Sequence, residues 1–227
     1  MKPCVIFDLD GTLCDTSRDL IAAANAAFGA LGRPEAALDP DGHEDRAEAL
    51  KGGRAMLRLG LGRLGAVDEA EVDRGYAPLL DAYGRDVCRH TTFFPGAREA
   101  VGRLRASGHA VGICTNKPEA MARALMAALG AADAFDSLVG ADTLPVRKPD
   151  PAPLWAAVDG AGGDRGRTLL VGDTTTDRDT AAAAGVPCLL VGFMAPVDGI
   201  VRPGAEVLAD YGDLDAAAAR LLGGAAA

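Results

Sequence analysis

Two carboxylates, Asp8 and Asp10, directly follow the first apolar segment of the chain, residues 4–7. A short apolar segment that ends at a turn signal, here Asp10-Gly11, is typical of a strand buried on both faces. Side chains two positions apart in an extended chain point the same way, so both carboxylates should project from the carboxyl end of this strand. About 5 Å apart, at an effective dielectric of about 20, they would repel by roughly 3 kcal/mol, which a divalent cation or a shared proton would relieve.

Two short motifs of this chain, around Asp10-Gly11 and at residues 60–65, have other interpretations than the cation site considered above. Asp10-Gly11 can simply open a turn, and the dipeptide alone does not separate that role from a chemical one. A calcium-binding EF-hand is excluded, because its loop needs glycine at its sixth position, where this chain has Leu13, and a helix in front of the loop. Residues 60–65 fit the dinucleotide-binding pattern G-x-G-x-x-G, but they follow a helical pattern instead of the strand that such a site requires.

The composition limits the kinds of partner. With 227 residues, 49% of them hydrophobic and 24% charged, the chain has the composition of an ordinary globular protein, either one domain or a core domain with a smaller insertion. Its net charge of −9 argues against nucleic acid and anionic membranes as partners, so any phosphate site must be local. We expect a monomer or homodimer.

The cysteines and the lack of a targeting pattern favour a cytoplasmic location. None of the five cysteines belongs to a CxxC pair, and three fall in predicted buried strands, which suits a reducing compartment. No basic segment followed by about 7–15 apolar residues begins the chain, and no apolar stretch reaches about 18 residues. We therefore expect a protein that is neither exported by that route nor membrane-spanning.

The apolar periodicity divides the chain into two regions. Residues 14–90 show helical patterns and no convincing strand; one helix is predicted after Asp68, where Pro78 should kink or split it. From residue 91 helices alternate with apolar strands, which predicts an α/β fold with a parallel sheet and helices on both faces. The predicted domains are thus an α/β core of residues 1–13 and 91–227 and a helical cap, residues 14–90, inserted after the first strand. The predicted core strands are 4–7, 110–114, 137–139, 168–171, 187–191 and 207–208.

Polar residues that could do chemistry follow three of these strands. Ligands of open parallel sheets bind at the carboxyl ends of the strands, near the point where the strand order reverses. Singly, each residue also has a structural explanation, such as a turn for Asn116, a solvated loop cation for Lys148 or a helix N-cap for Asp173. Their joint occurrence at strand ends favours a site. The group comprises Asp8, Asp10, Thr115-Asn116-Lys117-Pro118, Lys148, Gly172-Asp173 and Asp177.

On these residues the chain resembles the haloacid dehalogenase superfamily of hydrolases. The four motifs of that family are matched by Asp8-x-Asp10-Gly11-Thr12, Thr115, Lys148 and Gly172-Asp173-x-x-x-Asp177. Within the family the chain is most similar to the phosphoglycolate phosphatase group, through residues 7–13, 94–96 and 115–118. The resemblance implies a modified Rossmann-like core with a helical cap inserted after the first motif.

The expected chemistry is phosphoryl transfer with Mg²⁺ as cofactor. A carboxylate that attacks phosphorus forms an aspartyl phosphate, and Asp8 is the expected nucleophile. Asp10 is the expected general acid, which protonates the leaving group, and the general base for the water that cleaves the intermediate. Mg²⁺ would be bound by Asp8, Asp173 and the carbonyl group of Asp10, as the resemblance also implies.

The other expected site residues bind the substrate or orient the residues that do. Lys148 and the Thr115 hydroxyl would bind phosphoryl oxygens, because charge neutralisation dominates phosphoryl transfer. Asp177 would orient Lys148 or a metal-bound water. The remaining expected substrate-binding residues are Thr12, Asn116 through its backbone amide, Lys117, Gly53 and Arg54.

A few positions narrow the activity and substrate. Asp10 argues against the dehalogenases and phosphonoacetaldehyde hydrolases of the family, which lack this second acid, and Thr12 favours a phosphatase over a sugar-phosphate mutase. The family's glycine loop in the cap appears here as residues 51–54, Lys-Gly-Gly-Arg. The Arg54 guanidinium matches a carboxylate, which favours a small phosphate ester with a second anionic group, 2-phosphoglycolate first and other small organic phosphates or pyrophosphate after it. The alternative role for Arg54 is the start of a solvated helix.

Two functions from other classes are alternatives. A phospho-acceptor signalling module also combines clustered aspartates with Thr, Lys and Mg²⁺, but it has its acceptor on an internal strand and lacks a helical insertion. A catalytically silent binding protein on the same fold would not need the complete set of motifs. The acceptor on the first strand and the complete motif set favour a phosphatase over both.

Overall fold

The computed structural model describes residues 1–194, 196–197 and 199–223. The strands in chain order are β1 (Lys2–Phe7), β2 (Cys14–Asp15), β3 (Thr92–Phe93), β4 (Ala110–Cys114), β5 (Ser137–Val139), β6 (Gly163–Gly172), β7 (Cys188–Val191) and β8 (Ala205–Leu208). The α-helices are α1 (Ser17–Ala30), α2 (His43–Ala49), α3 (Gly53–Gly62), α4 (Glu69–Arg85), α5 (Ala97–Ala106), α6 (Glu119–Ala128), α7 (Ala152–Gly160), α8 (Thr175–Ala184) and α9 (Leu214–Gly223).

The chain divides into two compact units, one formed by Met1–Cys14 with Phe93–Ala227 and the other by Asp15–Thr92. The sequence places the helical insertion at 14–90, one or two residues from these bounds. The two connecting segments, β2 and β3, pair with each other as a two-stranded sheet. Among the helices of the described residues, none has both the length and the apolar character needed to cross a bilayer.

Six parallel strands form the sheet of the first unit, in the order β5-β4-β1-β6-β7-β8, which confirms the predicted α/β class. Residues 4–7, 110–114 and 168–172 are all buried, and for this reason they read as continuous apolar runs instead of alternating ones. From β1 the chain builds β4 and β5 on one side and then returns to build β6, β7 and β8 on the other. The strand order therefore reverses beside β1, where ligands of such sheets bind.

Strand β6 is longer than the sequence predicts. The prediction begins it at residue 168, whereas β6 begins at Gly163. Gly163 pairs with Lys2, and the register shifts before Cys4 pairs with Thr168. The residues between these two pairs are polar and include a further glycine, so they lack the apolar signal of a buried strand. A Cβ atom at Gly163 would lie 2.6 Å from Sγ of Cys4, which explains the glycine at this register shift.

The helical unit contains α1 to α4, and α4 continues through Pro78 as one assigned helix. Of the two predicted effects of Pro78, a kink or a split, the split does not occur. An interior proline costs about 3 kcal/mol, but Val72, Leu79 and Tyr83 bury one continuous face on both sides of it, which stabilises the single helix. Gly60, in the G-x-G-x-x-G pattern, lies inside α3, where a Cβ atom would be 2.4 Å from the Phe28 ring. Close packing between helices explains this glycine. This agrees with the sequence analysis, in which the motif lacks the preceding strand that a dinucleotide site requires.

Candidate active site

Asp8 is the first residue after β1, and its carboxylate is paired with a buried lysine. The Asp8 amide continues the ladder by donating to the Val171 carbonyl (2.9 Å), and the Leu9 amide donates to Oδ1 of Asp8 (2.7 Å). Nζ of Lys148 lies 3.2 Å from the same Oδ1 and 2.6 Å from Oδ1 of Asp177. The Lys148 side chain is 1% exposed, so its charge is balanced by these two carboxylates and not by solvent.

Asp10 pairs with a different lysine. Nζ of Lys117 donates to both carboxylate oxygens of Asp10, at 2.8 and 3.0 Å. The loop that carries Asp10 is tight, because the amides of Leu13 and Cys14 both donate to the carbonyl of Leu9. The two carboxylates after β1 are thus each paired with a lysine from a different loop, Asp8 with Lys148 and Asp10 with Lys117.

The next two residues of this loop contact Asp173, which follows β6. The Thr12 hydroxyl donates to Oδ1 of Asp173 (2.8 Å). Gly11 has a φ of +80°, and a Cβ atom there would lie 2.3 Å from Oδ2 of Asp173. Only glycine combines this backbone conformation with this approach. The carbonyl of Thr12 accepts a hydrogen bond from the hydroxyl of Tyr211 (2.9 Å), near the carboxyl end of the chain.

Asp177 holds both Lys148 and the start of α8. Its Oδ2 accepts hydrogen bonds from the hydroxyl of Thr174 (2.6 Å) and from the amides of Thr174 (3.1 Å) and Asp173 (3.3 Å). Thr174 and Asp177 form a capping box, which satisfies the free amides of the first helical turn. Gly172 must be a glycine, because a Cβ atom there would lie 2.3 Å from Cγ of Asp177.

Thr115 and Asn116 begin the loop after β4. The Thr115 amide continues the sheet by donating to the Val139 carbonyl (3.0 Å), and its Oγ1 accepts from the Lys117 amide (3.2 Å). The Asn116 side chain donates to the carbonyl of Lys148 (3.0 Å). Through this bond the loop after β4 positions the backbone of the residue that pairs with Asp8.

Three carboxylates of this site could hold a metal ion. Oxygens of Asp8, Asp173 and Asp177 lie within 4.8 Å of one another. Carboxylate oxygens are the ligands that Mg²⁺ prefers in proteins, so the donor set fits this ion. The predicted metal ligands are Asp8, Asp10 and Asp173, so the cluster and the prediction share Asp8 and Asp173 and differ in the third residue. Both oxygens of Asp177 already accept hydrogen bonds, from Lys148 and from the helix cap, which suits the orienting role that the sequence predicts for it.

Burial and neighbouring charges shift the pKa values of three residues of the site. Burial raises the pKa of Asp8 to about 6, although the ammonium group of Lys148 acts in the opposite direction. Burial, followed by the charges of Asp177 and Asp8, raises the pKa of Asp173 well above its usual value. Burial alone would lower the pKa of Lys148, but the carboxylates of Asp177 and Asp8 outweigh it and raise that pKa. A divalent cation would stabilise the ionised forms of Asp8 and Asp173.

The predicted cap residues belong to the helical unit. Gly53 begins α3, and its Cα faces the side chains of Tyr76 and Leu79, which a Cβ atom would approach to 3.2 and 3.1 Å. Arg54 forms an ion pair with Asp73, and its guanidinium carbon lies 4.6 Å from the centre of the Tyr76 ring. These contacts within the unit account for the position of the Arg54 side chain.

Sequence reasoning missed two of these relationships. Tyr211 lies beyond the last strand, and nothing in its neighbourhood in the sequence indicates a contact with Thr12. Lys117 is predicted as a substrate-binding residue, and the structure places it against Asp10. The motif Thr-Asn-Lys-Pro contains the lysine, but its partner depends on the adjacency of β1 and β4.

Comparison with known proteins identifies the family. The haloacid dehalogenase-like hydrolase family matches residues 2–185. Phosphoglycolate phosphatase from Mesorhizobium japonicum is 41% identical over 193 residues, covering 85% of this chain and 83% of that protein. Phosphoglycolate phosphatase from Rhodospirillum rubrum is 40% identical over 197 residues, covering 85% of this chain and 80% of that protein.

A solved structure supports the fold independently. The haloacid dehalogenase-like family protein SP0104 from Streptococcus pneumoniae superposes with a TM-score of 0.77 at 18% identity, covering 95% of this chain and 98% of that one. At this identity the likeness concerns the fold alone. The family match over residues 2–185 and the two relatives at 40–41% identity show that the chain belongs to the haloacid dehalogenase-like hydrolases and is an enzyme of the phosphoric monoester hydrolase class.

Proposed function

We propose that this enzyme is a Mg²⁺-dependent phosphatase that hydrolyses a small phosphomonoester through an aspartyl phosphate on Asp8. The observation that carries the proposal is the position of the Asp8 carboxylate. It lies at the carboxyl end of the central strand, 3.2 Å from a buried lysine and in one cluster with two further carboxylates. A carboxylate in such a cluster has the chemistry of both a nucleophile and a metal ligand.

In the first step an oxygen of Asp8 attacks phosphorus, and the bond from phosphorus to the ester oxygen breaks. Asp10 gives its proton to that oxygen, so the product leaves as a neutral alcohol. In the second step Asp10 takes a proton from water, the water oxygen attacks phosphorus, and Asp8 leaves as a carboxylate with inorganic phosphate as the product. Lys148 and the Thr115 hydroxyl stabilise the negative charge on the phosphoryl oxygens.

The carboxylates of Asp8 and Asp173, with the carbonyl group of Asp10, are the proposed protein ligands of Mg²⁺. The bound ion would neutralise charge on the phosphoryl oxygens and on the clustered carboxylates. Thr12 positions Asp173 through its hydroxyl, and Asp177 positions Lys148. Asn116 positions the Lys148 backbone, and its own amide is the proposed donor to the substrate phosphate.

The leading substrate is 2-phosphoglycolate. Two relatives at 40–41% identity over most of the chain are named phosphoglycolate phosphatase, which supports this choice. The alternatives are another small organic phosphate, pyrophosphate, or a sugar-phosphate mutase activity on the same site. Rates on a panel of small phosphate esters, ranked by kcat/KM with and without Mg²⁺, test the proposal. Activity that is independent of Mg²⁺, or absent on every ester, would contradict it.

Gly53 and Arg54 are the proposed recognition residues for the second anionic group of the substrate. Arg54→Ala should then lower kcat/KM for 2-phosphoglycolate more than for an uncharged aryl phosphate. Arg58→Ala is the matched control, because Arg58 lies one turn further along α3 and is paired with Glu69. Equal effects of Arg54→Ala on the two substrates would exclude a role of Arg54 in substrate recognition, and its ion pair with Asp73 would then be purely structural.

A phospho-acceptor signalling module would differ from this enzyme in the fate of the aspartyl phosphate. The proposed phosphatase releases one inorganic phosphate per turnover, whereas an acceptor keeps the phosphoryl group on the chain.

We also propose a reducing, cytoplasmic location, which the free state of all five cysteines supports, and a monomer or homodimer. Light scattering on the purified protein determines the oligomeric state.

A further inference from the structure

Lys117 is buried beside the carboxylate to which the proposed function assigns proton transfer. Its side chain is 3% exposed, and its ammonium group donates to both oxygens of Asp10. The contact joins two elements that are 107 positions apart in the chain. A lysine that only served solubility would keep its charged end in water.

The backbone of Lys117 is held on both sides. Its amide donates to Oγ1 of Thr115 (3.2 Å), and its carbonyl accepts from the amide of Ala141 (3.0 Å). The residue is therefore fixed by the ends of β4 and β5 before its side chain reaches Asp10. A carboxylate held by two hydrogen bonds from such a fixed point loses much of its rotational freedom.

The two buried lysines of the site contact different carboxylates. Lys148 contacts Asp8 and Asp177, whereas Lys117 contacts Asp10. Direct phosphate binding, the role that the sequence predicts for Lys117, would require its ammonium group to be shared between Asp10 and the substrate.

We propose that Lys117 is a positioning residue that holds the carboxyl group of Asp10, through both of its oxygens, in the orientation from which the protonated form gives its proton to the leaving group. The inference rests on the proposed function, in which Asp10 protonates the ester oxygen as its bond to phosphorus breaks. An alkoxide is a poor leaving group and depends on that proton. A nitrophenolate is a good leaving group and needs it little.

The test compares an alkyl phosphate with p-nitrophenyl phosphate in the full-length enzyme with Mg²⁺. The measured quantity is kcat/KM, which includes only the steps up to departure of the leaving group, so the later hydrolysis of the aspartyl phosphate does not mask the effect. Lys117→Met should lower kcat/KM for the alkyl phosphate about 10- to 100-fold more than for the aryl phosphate, a part of the 10²–10⁴-fold typical of proton transfer. Asp10→Asn should show the same selectivity, and the double variant should lose little more than Asp10→Asn alone.

Two further variants separate positioning from other roles. Lys117→Arg keeps a cation with paired donors and should restore part of the alkyl phosphate activity. Arg123→Met removes an exposed cation from the helix that follows the same loop and should change neither rate. If Lys117→Met does not fold, as judged by its melting transition, Lys117→Gln replaces it and is compared with Lys117→Arg. The ratio of kcat/KM for the alkyl phosphate to kcat/KM for the aryl phosphate should then be lower in Lys117→Gln than in Lys117→Arg.

Equal losses on both esters would overturn the inference, because they are expected for a phosphate ligand or for a general loss of structure. A wild-type enzyme that hydrolyses no ester of the substrate panel would instead refute the proposed function itself. The two failures are therefore distinguishable.

Discussion

The hydroxyl group of Tyr211 donates a hydrogen bond of 2.9 Å to the carbonyl oxygen of Thr12, although 199 positions separate the two residues. Both residues are fully buried, and the hydroxyl of the same Thr12 donates to Asp173. The ring of Tyr211 also packs against Phe193, with ring centres 5.4 Å apart. The carboxyl-terminal part of the chain thereby supports the loop that contacts a proposed metal ligand.

Tyr211→Phe should destabilise the protein by about 1–3 kcal/mol, because it leaves the buried Thr12 carbonyl without its donor while keeping the ring. Urea unfolding followed by circular dichroism measures this change. We also expect weaker Mg²⁺ binding by calorimetry, since Thr12 positions Asp173. A variant with unchanged stability and unchanged Mg²⁺ affinity would show that the bond has no role in supporting the loop.

Asp8→Asn should abolish turnover and leave the fold intact, because the amide cannot act as the nucleophile and is a weaker metal ligand. Asp10→Asn should reduce the rate by about 10²–10⁴-fold through the loss of proton transfer. The two purified variants are compared by phosphate release and by circular dichroism. If Asp8→Asn kept more than a small fraction of wild-type activity, the covalent mechanism would be wrong.

Lys148→Met should slow the chemical step and lower the melting temperature, most strongly without Mg²⁺. Removal of one partner from a buried ion pair costs about 3–5 kcal/mol, and here it leaves Asp8 and Asp177 as uncompensated carboxylates. Added Mg²⁺ binds the native state and should raise the melting temperature of this variant more than that of the wild type. If Lys148→Met had the kinetics of the wild type at limiting Mg²⁺, Lys148 would have no role in the chemical step.

Gly11→Ala and Gly185→Ala form a matched pair. Both glycines have positive φ, +80° and +69°, but only at Gly11 does a Cβ atom meet another group, the carboxylate of Asp173. Gly185→Ala should destabilise the fold by about 1–2 kcal/mol from the backbone alone. Gly11→Ala should cost more and also weaken Mg²⁺ binding, as measured by unfolding and calorimetry. Equal effects of the two substitutions would show that Asp173 moves aside freely.

Cys88 should be the thiol that reacts first in the native protein. It is half-buried, whereas the other four cysteines are buried. Burial raises the pKa of Cys88 as well, and it raises the pKa of Cys4, Cys114 and Cys188 to about 12. A buried, protonated thiol is a poor nucleophile. Maleimide labelling followed by mass spectrometry should find about one modified cysteine in the native state and all five in denaturant. Rapid labelling of a strand cysteine would contradict the burial of the sheet.

Much of the site could be predicted from the sequence, because its signals are local. Asp8 and Asp10 follow an apolar run, and Asp173 and Asp177 follow another, so each pair belongs at the end of a buried strand. Parallel strands have their carboxyl ends at one edge of the sheet, which brings these residues together without knowledge of the strand order. The sequence also predicts a helical insertion at residues 14–90 from a local signal, because the period of the apolar residues changes at those bounds.

The tertiary structure alone decided which lysine pairs with which acid. The sequence by itself determined that Asp8, Asp10 and Lys117 lie near strand ends and that Lys148 lies in a loop between strands. The pairing depends on which strands are neighbours and on how each loop turns. The contact between Tyr211 and Thr12 is of the same kind. Partners more than 100 positions apart are selected by packing, and the sequence around either residue carries no signal that identifies its partner.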